Sequence, residues 1–252
     1  MSSTSRPLFY VEYVSDEAAT ELLLNDVPQA RFGGHAKFSG FIPVPLDLVR
    51  GRNMLELRFW AAPTRPIDPA RPFATARLAR FADGERAFDG GGDTIASLDL
   101  PGTEPVRTTF DSQEGPASWP WQAAEPTSPE MLVEKGFQPF VQRLAQAWFD
   151  GDPAPFLSAS AMRFTDSEQA FRTRPASAMA TQLDAWITGM GPLPPAARRL
   201  PPLVVRPCGQ GRLIDLSAAD GDPWLRRPDA DGDVAKFTAR VGYIGSAWQI
   251  LR

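Results

Sequence analysis

The stretch "LLLNDVPQARFGGHAKFSGFIPVPLDLVRGRNMLELRF", residues 22–59, decides how the first half of the chain is read. Its closing segment sets Leu55, Leu57 and Phe59 against Met54, Glu56 and Arg58. A period of two residues marks a strand with one buried face. Turn signals break the stretch at Asn25-Asp26, Gly33-Gly34 and Gly51-Arg52-Asn53, residue types that tolerate left-handed backbone or bond their own turn. It also holds His35, the only histidine in the sequence.

Outward from this core the same alternation continues. "PLFYVEYV" places Phe9, Val11 and Tyr13 on one face, and "FATARLARF" does the same with Ala74, Ala76 and Leu78. "TIASLDL" closes the series, with turns at Asp83-Gly84 and Gly90-Gly91-Gly92. Short strands at this spacing predict an all-β sandwich, jelly-roll-like, over residues 1–112. Leu24-Asn25-Asp26, Leu46-Asp47-Leu48 and Gly51-Arg52-Asn53 running into Leu55-Glu56-Leu57-Arg58 resemble the galactose-binding-like jelly roll, an accessory domain of β-galactosidase-type glycosidases. Asp26 stands where that family usually has glycine. The resemblance implies the fold, while sugar binding does not follow from fold alone. Pro63, Pro66, Pro69 and Pro72, spaced by three, suit either a stiff crossover or a polyproline II ligand.

Residues 113–130, rich in Pro, Ser and Glu, read as a linker. Trp119 and Trp121 within it are candidate partner-binding residues, or else they pin the linker. Beyond it, Phe137, Phe140, Val141, Leu144, Ala145 and Trp148 form one helical stripe. Gly151 stops that helix, and Asp152 caps the next with Pro153 in its first turn. A further stripe comprises Met179, Leu183, Trp186, Ile187 and Met190. Strands follow: "PPLVV", "GRLIDLS", "PWLRR", "VAKFTARV" and "SAWQILR". Helices first and an antiparallel sheet last predict an α+β domain over residues 131–252. With Gly151-Asp152 between helices and "GSAWQILR" at the close, this part resembles the nuclear-transport-factor-like cone fold. Some members of that family are isomerases or dehydratases that use His and Asp inside the cone. This region has no histidine.

Composition narrows the function. The chain of 252 residues carries 26 Lys+Arg against 30 Asp+Glu. Neither half has the positive excess that phosphate contacts require, so nucleic-acid binding is not expected. A single cysteine, Cys208, allows no internal disulfide and no multi-cysteine metal site. The start lacks a secretory pattern and no apolar run reaches the roughly 20 residues that cross a bilayer, so a cytoplasmic protein without membrane association is expected. Only Lys37, Lys135 and Lys236 are lysines, a bias typical of GC-rich bacterial genomes.

His35 has no "GxSxG" elbow or other partner motif to make it a catalytic base. "PDADGD", residues 228–233, puts Arg227 and Thr238 at the terminal positions of a calcium loop, where neither ligates. Its Asp231-Gly232 reads instead as a hairpin turn. No metal or cofactor is expected. Among the carboxylates, Asp215 is the catalytic candidate: "RLIDL" puts it on one face with Leu213, either lining the cup as a buried acid or paired with an arginine such as Arg240. The leading expectation is a non-enzymatic protein-binding module with a protein partner, such as an immunity or adaptor protein of a toxin or secretion system. The alternative is a small-molecule-binding protein, or an isomerase- or hydrolase-type enzyme, using the cone pocket. The sequence leaves oligomeric state open.

Overall fold

The computed structural model describes residues 7–32, 37–63, 65–68, 70–82, 85–171, 174–228 and 233–252. The described structure is mostly β, with four antiparallel sheets and four α-helices. The chain divides into two compact units, 1–118 and 119–252.

The first unit holds eight strands: β1 (Leu8–Asp16), β2 (Thr20–Leu24), β3 (Val27–Arg31), β4 (Lys37–Pro43), β5 (Gly51–Phe59), β6 (Ala74–Phe81), β7 (Asp93–Leu100) and β8 (Val106–Ser112). They form two sheets, ordered β4-β1-β6-β7 and β3-β2-β5-β8. One apolar cluster draws on both: Val11, Tyr13 and Leu78 from the first, Leu22, Leu55 and Leu57 from the second. The alternation read in β1, β5 and β6 is therefore the alternation of core and outer face. On the outer face of the second sheet, Glu21 and Glu56 are buried by charge pairing. Glu21 accepts hydrogen bonds from Arg31 and Arg58, and Glu56 from Arg107.

The opening stretch closes on a buried polar knot. Asn25 and Asp26 have φ of 53° and 65° and join β2 to β3 as a two-residue turn, the geometry that matches strand twist. Asn25 donates to the Asp47 carbonyl at 2.7 Å and to Asn53 Oδ1 at 2.9 Å. Asn53 in turn donates to the carbonyls of Val49 and Gly51 and accepts from the Val49 amide. Short polar residues 28 positions apart thus tie a hairpin to a connecting loop. Two strands of the stretch, β3 and β4, break the alternation that identifies strands, because Pro28, Gly40 and Pro43 interrupt it. Gly33-Gly34, His35, Asp83-Gly84 and Asp229 to Gly232 lie outside the described residues.

The second unit begins with a short 3-10 turn at Pro120–Ala123. It continues with α1 (Pro129–Glu134), α2 (Phe137–Asp150), α3 (Ala154–Phe171) and α4 (Ala176–Met190). Six strands follow: β9 (Val204–Cys208), β10 (Leu213–Ser217), β11 (Leu225–Pro228), β12 (Val234–Phe237), β13 (Arg240–Ile244) and β14 (Ala247–Ile250). They form a sheet ordered β14-β13-β10-β9 and a separate β11-β12 ribbon. "VAKFTARV", read as one strand, is two strands in two sheets: it breaks at Thr238-Ala239, where the Ala239 carbonyl accepts from the Leu216 amide.

α2 buries the stripe expected of it, through Phe137, Phe140, Val141, Leu144 and Trp148. It stops at Gly151, φ 66°, where a Cβ would lie 2.7 Å from the Gly191 carbonyl oxygen. The C-terminal ends of α2 and α4 therefore meet. Their partly negative carbonyl ends share one cation: Arg227 donates to the Trp148 carbonyl at 2.8 Å and to the Met190 carbonyl at 3.2 Å. Burial pushes the Arg227 guanidinium below its ordinary pKa.

Candidate functional site

One face of the β14-β13-β10-β9 sheet carries Ile214, Leu216, Val241, Trp248 and Ile250 into the same core as α2 and α3. Beside them the interior is occupied. Trp148, fully buried, packs on Phe156 at 5.9 Å, on Trp186 at 5.5 Å and on Phe237 at 6.2 Å. Aromatic side chains of α2, α3, α4 and β12 thus pack together, with Trp186 at the solvent edge of the group.

Asp215 faces away from that interior, because its strand neighbours Ile214 and Leu216 face into it. In the sheet it is flanked by Arg240 on β13 and Arg206 on β9. Arg240 Nε lies 3.4 Å from Asp215 Oδ1. Of the two arrangements open for this acid, the structure shows the pairing with Arg240.

Trp119 and Trp121 are 2% and 1% exposed. Trp121 lies against Gly209, where a Cβ would come within 3.0 Å of its ring, and the Arg252 guanidinium sits 5.3 Å over Trp119. Arg252 also donates to the buried carboxylate of Asp166 on α3, at 2.9 Å. Both tryptophans thus belong to the interior of the second unit and present no ring face to a partner in this structure. The signal for this was aromatic size: a ring of that area gains most by burial.

No known protein family, curated protein or solved structure matches this chain.

Two features of the second unit face solvent. The first is α4. Of its stripe residues Met179, Leu183, Trp186, Ile187 and Met190, only Ile187 is buried, and Trp186 is 38% exposed. Leu183 and Met190 pack partly on the core, and Met179 and Trp186 are likewise only partly covered.

The second is a cleft of about 390 Å³ between α2, the start of α3 and the β13–β14 hairpin. Gly245 and Ser246, with φ of 57° and 69°, make a two-residue turn that brings Tyr243 and Trp248 opposite each other. Their rings meet edge-on at 5.4 Å, and Trp248 packs further on Phe137 at 5.0 Å and Phe140 at 6.3 Å. The indole Nε1 of Trp248 donates to the Lys135 carbonyl at 2.9 Å. That bond fixes the backbone from which the Lys135 ammonium reaches over the Tyr243 ring, 5.0 Å from its centroid. Arg143, two turns along α2 from Gly136, lines the same cleft. Sequence reasoning did not find this cleft, since its two walls lie about a hundred residues apart in the chain. The adjacent Tyr243 and Trp248 around Gly245-Ser246 were the visible trace.

Proposed function

We propose that the chain is a non-enzymatic protein-binding module of the bacterial cytoplasm, built as a jelly-roll-like sandwich followed by a cone-like α+β domain. The observation that carries this reading is the apolar stripe of α4, left partly open and centred on Trp186. Tryptophan is enriched among the few residues that dominate interface energies, and a half-buried one is already ordered, so little entropy is lost on docking. The filled interior around Trp148 and the ion pair of Asp215 also favour binding over chemistry. An immunity or adaptor role toward a toxin or secretion component is the concrete form of this proposal.

The test compares the native chain with Trp186→Ala and Met179→Glu in affinity purification from the source cells. A stoichiometric protein partner should co-purify with the native chain and fall by about tenfold or more with either variant. Melting temperatures measured alongside separate docking from folding. A native chain that purifies alone, or a partner equally retained by both variants, would overturn the proposal.

A further inference from the structure

Strand β4 is an outer strand of the first unit: among the described residues it pairs with β1 on one side and with no strand on the other. An open strand edge is a row of free N–H and C=O groups, and natural sheets normally blunt it with charge, proline or a bulge. The other three edge strands of this unit are blunted in that way. β7 carries Asp93 and Asp99, β8 carries Arg107 and Asp111, and β3 carries Pro28 and Arg31 beside a shift in register. In β4 only the ends are guarded, by Lys37 and Pro43. Phe38, Ser39, Gly40, Phe41 and Ile42 between them carry no charge.

The ladder to β1 fixes which backbone groups point outward. The Val44 amide donates to the Phe9 carbonyl at 3.1 Å, so in steps of two Ile42, Gly40 and Phe38 turn their groups to β1. Ser39, which is exposed, and Phe41 turn theirs to the open side. These two residues lie symmetrically about Gly40. A second copy of the strand, related by a two-fold axis at Gly40, sets Ser39 against Phe41 and Phe41 against Ser39, and each pair exchanges both bonds. Gly40 then faces its own copy in a non-hydrogen-bonded pair, where Cα atoms approach to about 4.5 Å. The Phe38 ring already lies across Gly40, where a Cβ would come 2.8 Å from its Cζ. Phe38 and Ile42, both partly buried on the core side, are symmetric about Gly40 as well, and meet across the pair. Charge fits the same arrangement. Each Lys37 lies opposite an uncharged Pro43, with the two lysines at opposite ends, so no like charges meet.

We propose that β4 is a self-association edge, at which two copies of this chain join antiparallel through Ser39 and Phe41 into one continuous sheet. The edge belongs to the first unit and includes no residue of α4, so it stands apart from the docking face of the second unit.

The test is sedimentation velocity on the full chain from about 1 µM to about 500 µM, with amide exchange at Ser39 and Phe41 followed over the same range. A monomer–dimer equilibrium is expected, with exchange at both amides slowing as concentration rises. Ser39→Pro removes an N–H that faces away from β1, a position where an edge strand tolerates proline. Ser39→Lys puts two like charges on diagonal positions of the joined strands. Each variant should weaken the dimer by about tenfold or more. Ser39 is exposed, so Ser39→Lys should leave the melting temperature within about 2 °C. Trp186→Ala should leave the dimer unchanged, which separates this edge from association through α4. Four results would each overturn the proposal: a monomer at every concentration, exchange at Ser39 and Phe41 independent of concentration, a dimer that both Ser39 variants retain at full strength, or a dimer lost with Trp186→Ala.

Discussion

Asn53 shows how much one side chain fixes in the first unit. Its amide occupies both donor and acceptor capacity: it donates to the Val49 and Gly51 carbonyls and accepts from the Val49 amide and from Asn25. It is 1% exposed, so water cannot replace those partners. Asn53→Ala therefore strands several polar groups in the interior rather than removing one bond, and each stranded group costs about 1–3 kcal/mol. The expected loss is about 3 kcal/mol, read as a lowered urea midpoint without a change in slope. Asn53→Asp should recover part of it, since its carboxylate still accepts from the Val49 amide but cannot donate to the two carbonyls. An Asn53→Asp variant as stable as the native chain would show that the knot does not depend on its donors. The same knot explains why the first half was legible. Asn25, Asp47, Gly51 and Asn53 are spaced by the fold and not by any secondary-structure period, so together they carry topological information.

At the level of elements, the joint between α2 and α4 is held by charge placed on backbone. The two helices end side by side: the Leu193 amide donates to the Phe149 carbonyl at 2.7 Å, and Arg198 pairs with Asp150 at 2.9 Å. Arg227, from β11, is the buried member of this arrangement, bonded to the last-turn carbonyls of both helices. A cation there offsets two negative helix ends at once, which is how a buried guanidinium survives with no carboxylate partner among the described residues. Arg227→Met should cost about 2–3 kcal/mol, the desolvation of two carbonyls set against the relief of burying a charge. Arg227→Lys should lie between, because a single ammonium on a flexible stem does not span both carbonyls. Amide exchange should rise at Gly191 and Leu193 in both variants; unchanged protection there would refute the shared cap.

Helix α2 was legible because six apolar residues at steps of three and four admit no other reading. The joint was not, since nothing in "PWLRR" distinguishes Arg227, which turns inward, from Arg226, which pairs with Asp220 at the surface. Nor was the split of "VAKFTARV", whose alternation continues through the break: Phe237, Ala239 and Val241 all reach the same core from two different sheets. The cleft escaped for a related reason. Arg143 lies on a face of α2 and Lys135 on the turn before it, their neighbours are chosen by tertiary packing, and a hydrophobic period reports only which side is buried.

For the molecule as a whole, most of the buried apolar side chains described fall into two clusters with no shared member. One centres on Tyr13, Leu22 and Leu57, the other on Trp148, Phe156 and Val241. A unit with its own core and a size of 100 residues or more has the means to unfold on its own. Calorimetry should then resolve two transitions, or give a calorimetric enthalpy larger than the van't Hoff value. Two core variants assign them. Trp148→Ala removes the ring that fills the second unit's interior and should cost about 3–5 kcal/mol. In a unit of this size that lowers its own transition by about 10 °C or more. Leu22→Ala, at a fully buried position of the first core, should cost about 2–5 kcal/mol and lower only the other transition. A single transition that both variants shift equally would show that the two cores unfold as one. The stability of the chain would then be a property of the pair and not of each unit.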